Sequence, residues 1–159
     1  MNTKRSFIIT LSLVTAIFVC ALRADAAITV TVNNNRSHAL SLSFCWAGFD
    51  YDDDVSKGWY VVKAGETRKI TLKDVQYHFT AESFGYYAKG TPKGEKTIYW
   101  RGKDDDSEYM AFYIHQSEAF TGSHDNPIKG GQKVHFRHMK LKETGNSRTD
   151  GSATLTFNP

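Results

Sequence analysis

The sequence predicts an all-β fold: a single antiparallel β-sandwich of about eight or nine strands, with barrel-like closure as the alternative. Three observations carry this. Apolar and polar residues alternate with a period of two along much of the chain past residue 27. β-Branched and aromatic residues are concentrated in those runs. No stretch beyond residue 27 sustains the i, i+3, i+4 apolar stripe of an amphipathic helix.

Each element follows from a local pattern. Ile28, Val30 and Val32 alternate with Thr29 and Thr31, and Asn33-Asn34-Asn35 ends that strand. Leu40, Leu42 and Phe44 alternate with Ser41 and Ser43 in a second. Trp59–Val62 and Thr67–Leu72 are joined by Lys63-Ala64-Gly65-Glu66, which predicts a hairpin with Gly65 free to take positive φ. Trp59 shares the parity of Val61, so both are expected to face inward, Trp59 closing one end of the core. Tyr77, Phe79 and Ala81 alternate with His78, Thr80 and Glu82. Thr91-Pro92-Lys93-Gly94, Asp125-Asn126-Pro127 and Lys129-Gly130-Gly131 mark longer connections. Met110, Phe112 and Ile114 supply another strand between them. Within 132–141 the phase changes: Val134 and Phe136 share one parity, Met139 and Leu141 the other, which predicts a bulge or bend returning both pairs to one core. Leu155 and Phe157, between Thr154 and Thr156, form the last strand.

The N-terminus reads as an address rather than as part of the fold. Lys4 and Arg5 precede the apolar run Phe7–Val19, and Ala24-Asp25-Ala26 supplies the small-x-small pattern of a cleavage site. The run is shorter than the roughly 20 apolar residues of a membrane span. Val19 precedes Cys20 where a lipoprotein would carry a small residue. The expectation is a cleaved signal peptide over 1–26 and one β-rich domain over 27–159, periplasmic or secreted, with no transmembrane segment.

Cleavage there leaves 133 residues with 17 basic and 16 acidic side chains. So balanced a charge gives no footprint for nucleic acid, and the size argues for one domain. It also leaves Cys45 as the single thiol, expected to be buried as a small hydrophobe.

Candidate chemistry is thin. Asp50, Asp52 and Asp54 have the one-three-five spacing of a calcium loop, and Asp104, Asp105, Asp106 and Glu108 form a second acidic patch. Val55 stands where such a loop needs its turn glycine and Val61 where it needs its bidentate Glu, so calcium is a possible cofactor on an incomplete motif. The named metal candidates are Asp50, Asp52, Asp54, Asp104 and Asp106. Six His are present without a tight pair of the His-Glu-x-x-His kind. Neither a Gly-x-Ser-x-Gly elbow, a Ser-x-x-Lys motif nor a phosphate-cradling glycine loop occurs.

Aromatic residues are the remaining signal. They make up 13% of the chain, and core packing accounts for many of them. Adjacent pairs such as Trp59-Tyr60, Tyr86-Tyr87 and Tyr99-Trp100 cannot both face one side of a regular strand. Some rings are therefore expected outside, where they suit a sugar or a protein partner. The candidate binding residues are Trp46, Trp59, Tyr60, Tyr87, Tyr99 and Trp100.

The run Gly58-Trp59-Tyr60-Val61-Val62-Lys63-Ala64-Gly65-Glu66 resembles the Gly-Trp…Gly signature of the bacterial family catalogued as Domain of Unknown Function 1036. Asn33, Tyr77 to Glu82, Trp100-Arg101-Gly102 and Phe112-Tyr113-Ile114 are similar to its other blocks, so the resemblance covers most of 28–120. It implies a small exported β-rich domain and supplies no catalytic residue. Where that family often carries Cys, this sequence has Thr67 and Tyr113, which leaves no family disulfide here. The expected function is a binding module for an envelope, carbohydrate or protein partner. The alternative is a metal-assisted hydrolase using the acidic loops with His115 or His124.

Overall fold

The computed structural model describes residues 28–46, 54–73, 84–103, 110–144 and 151–159. The cleavage segment, the strand expected at Tyr77–Glu82, and Asp50, Asp52, Asp104 and Asp106 lie outside the described residues. Twelve strands run in order among the described residues: β1 (Ile28–Asn34), β2 (Leu40–Trp46), β3 (Val55–Val62), β4 (Thr67–Leu72), β5 (Phe84–Gly90), β6 (Ile98–Trp100), β7 (Ala111–His115), β8 (Phe120–Gly122), β9 (Gly131–His135), β10 (Arg137–His138), β11 (Lys142–Glu143) and β12 (Gly151–Phe157). The fold is all-β and sandwich-like, and no sheet among the described residues closes into a barrel. No helix among them is long and apolar enough to cross a membrane.

One sheet has the order β11-β12-β1-β4; the central sheet has the order β10-β5-β2-β3-β8, with β6 added to β5; β7 and β9 form a separate ribbon. Pairing is antiparallel except between β1 and β12, which run parallel from Ile28↔Gly151 to Asn34↔Phe157. This departs from the purely antiparallel expectation. Parallel neighbours need a long connection, and here most of the chain lies between the two strands.

The two sheets enclose the larger core. β1 contributes Ile28, Val30 and Val32, β2 contributes Leu40, Leu42, Phe44 and Trp46, and β5 contributes Phe84, Tyr86 and Ala88. A second core lies on the opposite face of the central sheet, where the ribbon covers it: Cys45, Tyr87, Met110, Phe112, Ile114, Phe120, Val134 and Phe136. Successive residues of β2 and β5 thus enter different cores. This corrects the expectation for Tyr86-Tyr87, since both rings are buried, on opposite faces. Each fully buried Phe of these cores stabilises by an amount lost on truncation to Ala, about 3–5 kcal/mol.

The same arrangement resolves the phase change over 132–141. The expected bulge or bend takes the form of a passage between sheets, into two cores rather than one: β9 belongs to the ribbon, Phe136 N–H donates to Met110 O, and β10 joins β5 in the central sheet. Val134 and Phe136 fill the second core, while Met139 fills the first and Leu141 packs against it.

The Lys63–Glu66 turn forms with Gly65 at φ 68° and Glu66 N–H donating to Lys63 O. It does not make the expected hairpin, because β3 pairs in the central sheet and β4 pairs with β1 in the other. The β1–β2 connection crosses between the same two sheets. Asn34, fully buried, ties the two crossings together. Its Nδ2 donates to His38 O at 2.9 Å, Lys63 O at 2.9 Å and Val62 O at 3.1 Å, and its Oδ1 accepts from Arg36 N–H.

Candidate functional site

The aromatic candidates divide by sheet face. Trp46 is 3% exposed and stacks on Phe84 inside the sandwich. Tyr60 packs against Phe44, and Trp100 sets its edge to Phe157 with centroids 5.2 Å apart. All three serve the first core or its rim. Trp59, Tyr87 and Tyr99 lie on the other face: Tyr87 is 5.9 Å from Trp59 and 6.1 Å from Tyr99 between ring centroids.

Trp59 reaches that face through a bulge. Leu42 pairs with Tyr60 and Ser43 with Gly58, leaving Trp59 as the extra residue on β3. A glycine is needed beside it, because a Cβ on Gly58 would lie 2.6 Å from Ser43 Cβ and 3.0 Å from the Phe120 ring. The Gly58–Trp59 peptide bond is cis. Trp59 packs against the second core, and its indole Nε1 donates to His115 O at 2.9 Å. Val61 shares its face, yet it is 48% exposed rather than inward as expected. The reason is that the ribbon covers only part of this face.

Beyond the ribbon the registers align one row across four strands. Ser41 pairs with Val61 on one side and with Lys89 on the other, and Lys89 pairs with Tyr99. Val61 and Tyr99, the latter 51% exposed, are the exposed large hydrophobic residues among those described. They stand at the two ends of this row. At its centre the Lys89 ammonium sits 4.3 Å from the centroid of the Trp59 ring and donates to Gln116 O. Burial of that amine lowers its pKa. Sequence reasoning passed over Lys89, which carries no motif; its place in the row appears only with the register.

A cleft of about 360 Å³ runs along one side of the row, lined in part by Ser41, Lys89, Thr91, Thr97 and Tyr99. The hydroxyls of Thr91 and Thr97 are 2.8 Å apart. Among the described residues the lining presents hydroxyls, an ammonium and an aromatic ring, but no carboxylate, thiol or imidazole. Tyr87 supports Tyr99 from below; burial, then the Tyr99 phenol, push its own phenol up to about 12, opposed by Arg101.

The other candidates sit elsewhere. Asp54 is buried at the start of β3 and lies near enough to Cys45 to raise the thiol pKa, though burial of the thiol is the larger cause. Cys45 is fully buried, as expected from its sequence context. His115 Nδ1 accepts from Glu118 N–H at 2.9 Å, closing the turn after β7. His124 lies 2.7 Å from Asp125 through Nδ1 and packs its ring edge-on against Phe112. Among the described residues no three His, Cys, Asp or Glu side chains come together as a metal site.

Comparison with protein-family models finds no match, and comparisons with curated proteins and with solved structures find none.

Proposed function

We propose that this chain is an exported, non-enzymatic binding domain, related to the Domain of Unknown Function 1036 family, that takes a carbohydrate on the open half of its central sheet. The observation that carries the reading is the row Val61–Ser41–Lys89–Tyr99. It puts an exposed ring beside a shallow cleft rich in hydroxyls. A pyranose offers an apolar C–H face to an aromatic ring and hydroxyls to the polar groups around it; the negative π face of tyrosine complements the former. Preformed clefts bind with little ordering cost when their walls are rigid, and here Tyr99 rests on the buried Tyr87. The Lys89 ammonium, already held over Trp59, adds a donor for sugar oxygens. Export rests on the N-terminal pattern, and the family relation on the Gly58–Glu66 run and its companion blocks.

The test is a glycan array probed with the tagged protein, followed by calorimetric titration of any hit. Tyr99→Ala is expected to weaken binding by about tenfold, the scale of one lost aromatic contact, and to leave the urea midpoint in place. An array without a hit, or undiminished binding by Tyr99→Ala, refutes the site.

A further inference from the structure

A second open surface lies along β12, where the two sheets meet. β12 is paired along its whole length with β1, but on its other side β11 reaches only Gly151 and Ser152. Along a strand, backbone groups point alternately to the two sides. Phe157 O accepts from Asn35 N–H on the β1 side. The N–H and C=O of Thr154 and Thr156 therefore point away from β1, toward an edge that no strand among the described residues covers beyond Ser152. Soluble proteins blunt such edges with charge, proline or a bulge. Within β12 none of these occurs, and Pro159 comes only after the strand ends.

That edge opens on a cleft of about 470 Å³ whose opposite wall includes Trp100, Arg137, His138 and Lys140. Beside it, the Arg36 guanidinium lies 5.1 Å from the Trp100 ring centroid and donates to Asn158 O at 2.5 Å. No acidic side chain lines the cleft among the described residues. An edge that offers backbone partners to a strand thus stands under a positive field.

We propose that β12 takes an extended acidic peptide segment as an added strand, its backbone on Thr154 and Thr156 and its carboxylates toward Arg137 and Lys140. Strand addition gives affinity through main-chain hydrogen bonds and specificity through the side chains beside them. Charge also argues against a second copy of this chain as the occupant. Edge-to-edge pairing about a two-fold axis would bring Arg36, Arg137 and Lys140 of both copies together, and like charges brought together are costly.

The test is NMR titration of the 15N-labelled protein with acetyl-(Glu-Thr)4-amide and its basic twin acetyl-(Lys-Thr)4-amide. The acidic peptide is expected to shift the amides of Thr154 and Thr156 and the indole of Trp100, and to slow exchange of the two amides. The basic twin should leave them unmoved at the same concentration. Arg137→Glu, at an exposed position, should weaken the acidic peptide by about tenfold, and Thr156→Pro should remove the outward N–H and abolish its binding. No shift with the acidic peptide, equal shifts with both peptides, or shifts confined to the Tyr99 cleft overturns the proposal. So does peptide-independent dimerisation with Thr154 and Thr156 protected, which would give the edge to a second copy.

Discussion

Asn34 offers the sharpest test of how the two sheets are held together. Its amide group is fully buried and donates to three backbone carbonyls, one from the β1–β2 crossing and two from the β3–β4 crossing. Asn34→Asp keeps the shape and the acceptor for Arg36 N–H but removes every donor. At neutral pH it also sets a carboxylate among carbonyl oxygens. Each hydrogen bond lost with its carbonyl left behind costs about 1–3 kcal/mol. Over the three bonds the loss is about 3–9 kcal/mol, a large fraction of the roughly 5–15 kcal/mol that holds a domain of this size. The pH dependence has a definite sign. Burial and neighbouring carbonyls raise the folded-state pKa of the new carboxyl above its unfolded value of about 3.9. The variant is thus least handicapped below that unfolded value and loses stability as pH rises through the folded one. Urea denaturation at pH 4 and pH 7, against wild type at each pH, measures both effects. A variant within about 1 kcal/mol of wild type at pH 7, or one whose deficit does not shrink at pH 4, refutes the assignment of Asn34 as the tie between the crossings.

Three further outcomes are expected. Trp59→Phe keeps a ring on the second core but loses the bond to His115 O, so it should cost about 1–2 kcal/mol by urea midpoint; an unchanged midpoint would place the indole N–H in solvent. Cys45 should resist a thiol reagent in the folded protein and react at once in denaturant, because burial both shields the thiol and raises its pKa; rapid labelling under native conditions would remove it from the second core. Tyr87, whose folded pKa is pushed up to about 12, adds stability that is complete below the unfolded value of about 10 and is lost as pH rises through the folded one. Phenolate absorbance in Tyr87→Phe against wild type checks this: the difference should titrate later than free tyrosine.

What the sequence disclosed depended on how many faces of a strand are buried. β1 and the first half of β2 alternate cleanly because Thr29, Thr31 and Ser41 sit on the less buried side. β5, Phe-Gly-Tyr-Tyr-Ala-Lys-Gly, has no alternation to read because it packs into two cores at once. Tyr99-Trp100 and Trp59-Tyr60 do split between faces, as adjacent residues must. Tyr86-Tyr87 split as well, but into two interiors rather than into core and solvent. The connections were harder still. A four-residue turn with a positive-φ glycine looks the same whether it joins two paired strands or carries the chain between sheets, and Lys63–Glu66 does the latter.

The candidate site was illegible for a related reason. Its residues come from β2, β3, β5 and β6, and they meet only because the register places Val61, Ser41, Lys89 and Tyr99 in one row. The boundary of the site is set by where the ribbon stops, and the end of β7 also holds its inner wall. The carbonyl of His115 receives the Trp59 indole, and the carbonyl of Gln116, one residue on, receives the Lys89 ammonium. One turn thus fixes both the ring and the cation lying over it. Backbone acceptors cannot be removed by side-chain change, so the Trp59–Lys89 pair is anchored by the fold rather than by the chemistry of the loop. The open row beside it is free to vary in what it recognises, while the platform on which it rests is bound to the second core.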